Sequence, residues 1–258
     1  MIAIESRAIC VCCLLGFSLL GTPKISADTI TVAVASNFAE TLEAISTKFE
    51  QQFPHDVVLV RGSSGRHFAQ IVNGAPFDVF LSADTRRPQA LVDAEVVENS
   101  KVKPYAIGRL ALWSSIPTAN KLPRERLVEG DFNHLAIANP RLAPYGKAAM
   151  EVLENIGLAS LIQSSSENTL VYGENVAQAF QFVATDNAEL GFVALSQVIN
   201  SVPDEEYWQV PADLHAPIVQ SLAQLTDTEA VKQFLNFLTG SEGSLLLRQQ
   251  GYLLPTQN

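Results

Sequence analysis

Ile30-Thr31-Val32-Ala33-Val34-Ala35-Ser36-Asn37-Phe38 is the stretch on which the fold turns. Ile30 to Ala35, apolar and rich in β-branched side chains, reads as a short buried strand. Ser36-Asn37 interrupts the run, and Phe38, Leu42, Ile45 and Phe49 then recur at helical spacing. Outward from there, Val57 to Val60 is a second strand, followed by the turn Gly62-Ser63-Ser64-Gly65 and a short helix carrying Phe68 and Ile71. Asn73-Gly74-Ala75-Pro76 stops that helix, because Gly and Pro belong just past a last turn. Asp78 to Ser82 is a third strand. This βαβαβ order predicts a parallel sheet with right-handed crossovers.

The same grammar restarts downstream. Leu135 to Ala138 reads as a strand, and Gly146 to Ile156 as a helix with Ala149, Val152, Leu153 and Ile156 inward and Gly157 at its end. Thr169 to Tyr172, Asn175 to Thr185 and Leu190 to Leu195 continue as strand, helix and strand. Two sheet-building units predict an α/β protein of two lobes. The apolar strands Ala106 to Ser114 and Ala216 to Leu222 would carry the chain between them. Val231, Phe234, Leu235 and Leu238, then Leu245 to Leu247, read as two helices returning to the first lobe. The expected boundaries are 1–27 for a signal segment, 28–107 with 218–258 for lobe 1, and 108–217 for lobe 2.

At 258 residues the chain is long enough for two such lobes, and 47% hydrophobic with 17% charged residues is a globular composition. A formal charge of −10 argues against nucleic acid, whose phosphates call for a basic stripe. Arg7, the apolar run Ala8 to Leu20 and the small-residue site Ile25-Ser26-Ala27 together read as a cleavable export signal. Cys10, Cys12 and Cys13 all fall inside it. A mature chain beginning at Asp28 would therefore contain neither a disulfide nor a thiolate metal site.

Four strand-to-helix junctions carry the candidate chemistry: Ala35-Ser36-Asn37, Gly62-Ser63-Ser64-Gly65, Ala143-Pro144-Tyr145-Gly146 and Gly173-Glu174-Asn175-Val176. In an open α/β sheet such junctions lie at the carboxyl ends of the strands, where ligands bind. Each aims unpaired helix N–H groups and a dipole's positive end at a shared crevice. Ser36, Ser63 and Ser64 add hydroxyl donors, and Gly62 and Gly65 leave room for close backbone approach. Ordinary helix capping explains any one junction. Two junctions per lobe in an exported chain point instead to a site for a small oxyanion. Of the nearby charged residues, Glu40 and Glu174 suit the helix dipole, Asp84 suits a cap or turn, and Arg66 reads as a solvated first-turn arginine.

Catalytic readings find less support. Gly62-Ser63-Ser64-Gly65 is followed by Arg66, so it is not a G-x-S-x-G elbow, and His67 has no evident orienting partner. His55, His67, His134 and His215 are scattered without metal-ligand spacing, and no Walker A or dinucleotide fingerprint is present.

Val34-Ala35-Ser36-Asn37-Phe38, Gly62-Ser63-Ser64-Gly65, Gly74-Ala75-Pro76-Phe77-Asp78-Val79-Phe80-Leu81-Ser82-Ala83-Asp84, Asn139-Pro140, Ala143-Pro144-Tyr145-Gly146-Lys147-Ala148-Ala149, Glu174-Asn175-Val176 and Gly191-Phe192-Val193-Ala194 occur in that order. In these motifs the chain resembles the periplasmic molybdate-binding proteins of bacterial ABC transporters. The resemblance implies the type II periplasmic-binding-protein fold, with two crossover strands and a ligand cleft between the lobes. It also implies a monomeric, non-catalytic periplasmic receptor without a cofactor. Such a receptor takes molybdate or tungstate, with molybdenum present only as the oxyanion, and delivers it to a membrane permease. Carried over by motif, Ser36 and Ser64 would give hydroxyl and backbone donors, with Ser63 the competing serine. Asn37, Tyr145 and Val176 would give backbone N–H groups. Some members place a tyrosine hydroxyl on the anion in the segment matching Gly191 to Leu195; this chain has Ala194 there, and the Tyr145 ring is expected to pack or gate. Sulfate, thiosulfate or another small anion stays open as the ligand, and a secreted hydrolase as a further alternative.

Overall fold

In the computed structural model, which describes residues 27–116, 121–158 and 169–255, the opening stretch forms strand β1 (Thr29–Ala35). The segment read as an export signal lies outside the described residues, apart from Ala27. The chain continues through α1 (Ala39–Gln52), β2 (Asp56–Gly62), α2 (Ser64–Val72), β3 (Val79–Ser82), α3 (Arg86–Asp93) and β4 (Val102–Gly108). It then passes to β5 (Leu110–Trp113), α4 (Pro123–Glu129), β6 (His134–Ala138), α5 (Pro144–Asn155), β7 (Thr169–Gly173), α6 (Val176–Ala184), β8 (Leu190–Ala194) and β9 (Tyr207–Gln209). β10 (Ile218–Gln224), α7 (Glu229–Thr239) and α8 (Ser241–Gln249) complete it.

These strands make two five-stranded sheets of one design, ordered β2-β1-β3-β10-β4 and β7-β6-β8-β5-β9. β1 runs parallel to β2 and β3, and β6 parallel to β7 and β8, as the βαβ pattern requires. β10 lies antiparallel to β3 and β4 in the first sheet, and β5 antiparallel to β8 and β9 in the second. The chain thus crosses between sheets after β4 and returns before β10. The architecture is a two-lobed α/β fold. Leu42, Ile45 and Phe49 of α1 are fully buried against the first sheet together with Phe234 and Leu238 of α7, so the carboxyl-terminal helices do return to the first lobe.

The expected strand Ala106 to Ser114 is two strands in different sheets, broken at Arg109. Glycine is needed at the crossing: a Cβ on Gly108 would stand 2.2 Å from the Tyr145 hydroxyl. Arg109 fastens the passage, its Nε donating to Gly251 O at 2.7 Å and its carbonyl accepting from Leu195 N at 2.9 Å. Likewise Ala216 and Pro217 precede β10 instead of opening it. Helices α3 and α4 and strand β9 were not foreseen. α3 carries Pro88 in its first turn, where the missing N–H is tolerated, and α4 starts on Pro123 and ends on Gly130 at φ 72°.

Candidate functional site

The carboxyl ends of β1, β2, β6 and β7 face one another. β1 enters the 3-10 turn Ser36–Phe38, and β2, β6 and β7 lead to the first turns of α2, α5 and α6. Together they wall a cavity of about 10 Å³. Ser36, Asn37, Ser63 and Ser64 line it from the first lobe, and Tyr145 and Val176 from the second, so all six predicted residues are brought together. Ala35, Gly62, Ala83, Ala143, Pro144 and Asn175 complete the wall. None of these described residues carries a formal charge. As the lobes stand, that space is about the size for one water, so any larger guest, a tetrahedral oxyanion included, requires the walls to move apart.

The serines are set up as donors. Ser36 Oγ accepts from Ala177 N across the lobes at 3.4 Å, Ser63 Oγ from Arg66 N at 3.3 Å, and Ser64 Oγ from Ala83 N at 2.9 Å. A hydroxyl oxygen held by a backbone N–H keeps its own proton to donate. Two of the four junctions are also capped by their own side chains, Ser63 on α2 and Asn175 on α6, so capping and site-building coexist. At the other two, alanine occupies the cap: Ala35 and Ala143 offer no side-chain acceptor to the helix starts they precede. Replacing a good N-cap residue by Ala ordinarily costs about 0.5–2 kcal/mol. These N–H groups are left for something else to satisfy.

Behind the turns lies a polar cluster that sequence reading missed. The Asn37 amide donates to Gln220 Oε1 (3.0 Å) and Tyr252 OH (3.2 Å), and Tyr105 OH donates to the same Gln220 oxygen (3.0 Å). The Asn37 carbonyl accepts from Tyr252 OH at 2.7 Å and from Ser196 Oγ of the second lobe at 3.0 Å. Asn37 is thus anchored by its side chain and carbonyl, which leaves its N–H as the group available to the cavity. Burial pushes the Tyr252 phenol up to about 12 and the Tyr105 and Tyr145 phenols well above the usual 10. All three are neutral hydroxyls at ordinary pH. The sequence signal was the polar pair Gln220-Ser221 inside the strand Ile218–Gln224.

The Tyr145 ring is packed between the lobes' elements. It is 2% exposed, its hydroxyl 3.5 Å from Asn37 Nδ2 and wedged against Gly108. Ala194 ends β8 fully buried, its N–H donating to Gln197 Oε1 at 2.9 Å.

Several expectations change in detail. Arg66 is not merely solvated: it meets Glu174 of the second lobe at 3.0 Å, because α2 and the turn before α6 face each other across the cleft. Glu174 therefore serves an ion pair and not the helix dipole alone. Asp84 is the turn residue expected, accepting from Arg87 N at 3.0 Å and pairing with the Arg87 guanidinium. The glycines of the Gly62–Gly65 turn also have reasons within the protein. A Cβ on Gly62 would lie 2.8 Å from His67 Nε2, and one on Gly65 would lie 3.0 Å from Leu142 O of the opposite lobe. His67 is a buried strut, its ring nitrogens 3.1 Å from Val34 O and 3.2 Å from Gln70 Oε1. Among the described residues no group of three His, Cys, Asp or Glu side chains is placed to hold a metal.

The comparisons agree with this geometry. A molybdate-binding protein of Azotobacter vinelandii is 41% identical over 244 residues, covering 92% of this chain and 94% of its own length. A molybdate-binding protein of Rhodobacter capsulatus is 39% identical over 231 residues, covering 88% of this chain and 89% of its own. The solved Azotobacter vinelandii periplasmic molybdate-binding protein superposes with a TM-score of 0.82 at 36% identity, covering 88% of this chain and 100% of that one. The family model for bacterial extracellular solute-binding proteins matches residues 30–253, and the chain belongs to that family.

Proposed function

We propose that the protein is an extracytoplasmic, non-catalytic receptor that captures molybdate, and tungstate with it, and hands the anion to the membrane permease of an ABC transporter. The carrying observation is the cavity: a small space between two lobes, walled by neutral donors with no carboxylate among its described lining. A fully deprotonated tetrahedral dianion only accepts hydrogen bonds and suits such a wall. Phosphate, which keeps a proton near neutral pH, would turn an O–H toward donors and lose a bond. The names of relatives near 40% identity support molybdate over the other dianions.

In this reading Ser36, Ser64 and Ser63 donate hydroxyls, and Asn37, Tyr145 and Val176 donate backbone N–H groups. The protein acts as a periplasmic monomer once the first 27 residues are removed. Residues 28–107 with 218–258 form one lobe and 108–217 the other, closing by hinge motion at the two crossings. Hydrogen bonds to a charged acceptor are worth about 1.5–3 kcal/mol each, so several of them, less desolvation and closure, support roughly micromolar to nanomolar binding. Calorimetry on residues 28–258 with molybdate, tungstate, sulfate and phosphate tests the assignment. Molybdate and tungstate should bind in that range and phosphate not at all. Sulfate bound as tightly as molybdate would overturn the choice of ligand.

A further inference from the structure

A dianion approaching a chain of formal charge −10 meets net repulsion unless local charge guides it. The two approaches to the cavity differ in this respect. On one side a groove of about 590 Å³ separates α3 from α5 and shares Ala83 and Pro144 with the cavity wall. Its charged lining is Arg86, Arg87, Arg141 and Lys147 against Asp84 and Glu151. Arg87 is matched by Asp84, and Lys147 by Glu151 at 3.5 Å. Among the described residues, that leaves Arg86 and Arg141 as the uncompensated cations of the groove. At the inner end, Arg87 Nη2 donates to Arg141 O at 3.0 Å and lies 3.0 Å from where a Cβ on Gly65 would stand, so the groove ends at a binding turn.

The opposite approach has no such surplus. A space of about 120 Å³ beside Ser36 and Asn175 is lined by Glu40 and Arg61, and Arg61 is already paired with Glu43. Arg66 is likewise neutralised by Glu174. Local charge is cationic on one side of the cavity and neutral to acidic on the other.

We propose that the groove between α3 and α5 is the route by which the oxyanion reaches the cavity, with Arg86 and Arg141 steering it in. This rests on the oxyanion-receptor reading above. Neither arginine lines the cavity, so both act on the encounter and not on the bound anion. Removing rim charges lowers the association rate and its salt dependence, while dissociation reports the contacts of the closed complex.

The test is stopped-flow tryptophan fluorescence of residues 28–258 with molybdate, at about 20 mM and about 500 mM salt, where screening is weak and strong respectively. The variant R86Q/R141Q is compared with K48Q/K103Q, which removes the same formal charge at exposed positions outside both spaces. R86Q/R141Q should lower the association rate constant by roughly three- to tenfold at low salt, with dissociation unchanged within about twofold and the difference vanishing at high salt. K48Q/K103Q should associate like the parent. Equal slowing by both variants would reduce the effect to net charge and overturn the proposal, as would unchanged association or a change confined to dissociation in R86Q/R141Q. A folded parent that takes up no molybdate would remove the receptor reading itself, and the proposal with it.

Discussion

Deleting the Ser64 hydroxyl separates what the Gly62–Gly65 turn does for the anion in the proposed site from what it does for the fold. Ser64 Oγ accepts the Ala83 N–H at 2.9 Å, and both residues are buried. Ser64→Ala therefore leaves a buried backbone donor unpaired, a loss of about 1–3 kcal/mol in folding stability. In the proposed site the same change also removes one donor to a charged acceptor, about 1.5–3 kcal/mol, which is a roughly 12- to 160-fold rise in Kd. Denaturant unfolding without ligand reads the first quantity, and calorimetry with molybdate reads the second. Both should move. Stability lost with Kd within twofold of the parent would mean that Ser64 only braces the turn after β3, and the donor role assigned to it would be wrong. Affinity lost with stability intact would refute the shared oxygen, since Ala83 would then not depend on it.

Two further changes probe the supporting structure. Tyr145→Phe should alter molybdate affinity less than about threefold, because the hydroxyl is spent near Asn37 at a long 3.5 Å and a bond so stretched contributes little; a tenfold loss would show that the phenol reaches the anion. Asp227 accepts from Lys101 at 2.9 Å and meets Lys232 at 3.1 Å, which together bring its carboxyl down from 3.8 to about 2. A carboxylate depressed by folding stabilises the protein above its unfolded value, and that contribution is lost as pH falls from about 3.8 through about 2. An NMR titration should place the Asp227 midpoint near the lower value and move it upward in Lys101→Gln; an unshifted midpoint in the parent would contradict the ion-pair geometry.

Much of this molecule was legible in its sequence because the signals were local. A strand ending on Ser36-Asn37 before the stripe Phe38, Leu42, Ile45 and Phe49 fixes both an element boundary and a burial face. The repetition of that pattern implies a second sheet. What escaped depends on residues distant in the chain. Gln220, Tyr252, Tyr105 and Ser196 come together around Asn37 only once β10, the chain end and the second lobe are in place. The break falls at Gly108-Arg109, the one non-apolar interruption between Ala106 and Trp113, and the Tyr145 hydroxyl against Gly108 shows why no side chain is admitted there. Arg66 and Glu174 were each read against their own helix, whereas their partners are each other. Gly62 and Gly65 carry a second constraint that the sequence does not show: a side chain there would meet His67 of the same helix start and Leu142 of the opposite lobe.

The alanine caps tie occupancy to closure. Serine or aspartate at residues 35 and 143 would stabilise the helix starts by about 1 kcal/mol each, yet would offer their N–H groups an acceptor that competes with the anion. Helix starts that converge across a cleft also bring the partial positive ends of their dipoles toward one another. Around the cavity, direct bridges between the lobes among the described residues include Ala177 N to Ser36 Oγ at 3.4 Å, Gly65 N to Leu142 O at 3.0 Å, Ser196 Oγ to Asn37 O at 3.0 Å and Arg87 Nη2 to Arg141 O at 3.0 Å. The Arg66–Glu174 pair adds charge, but both side chains are substantially solvated and such pairs contribute about 0–1 kcal/mol. A doubly charged acceptor at the meeting point reverses the sign of the dipole interaction and satisfies the uncapped groups in one step. An arginine in the cavity wall would relieve neither problem: it would add positive charge to converging positive ends and would hold any anion in an open cleft. In the proposed receptor, neutral donors divided between two lobes hold the anion fully only when the lobes meet, which makes the chemistry of the wall and the two-lobed architecture one device.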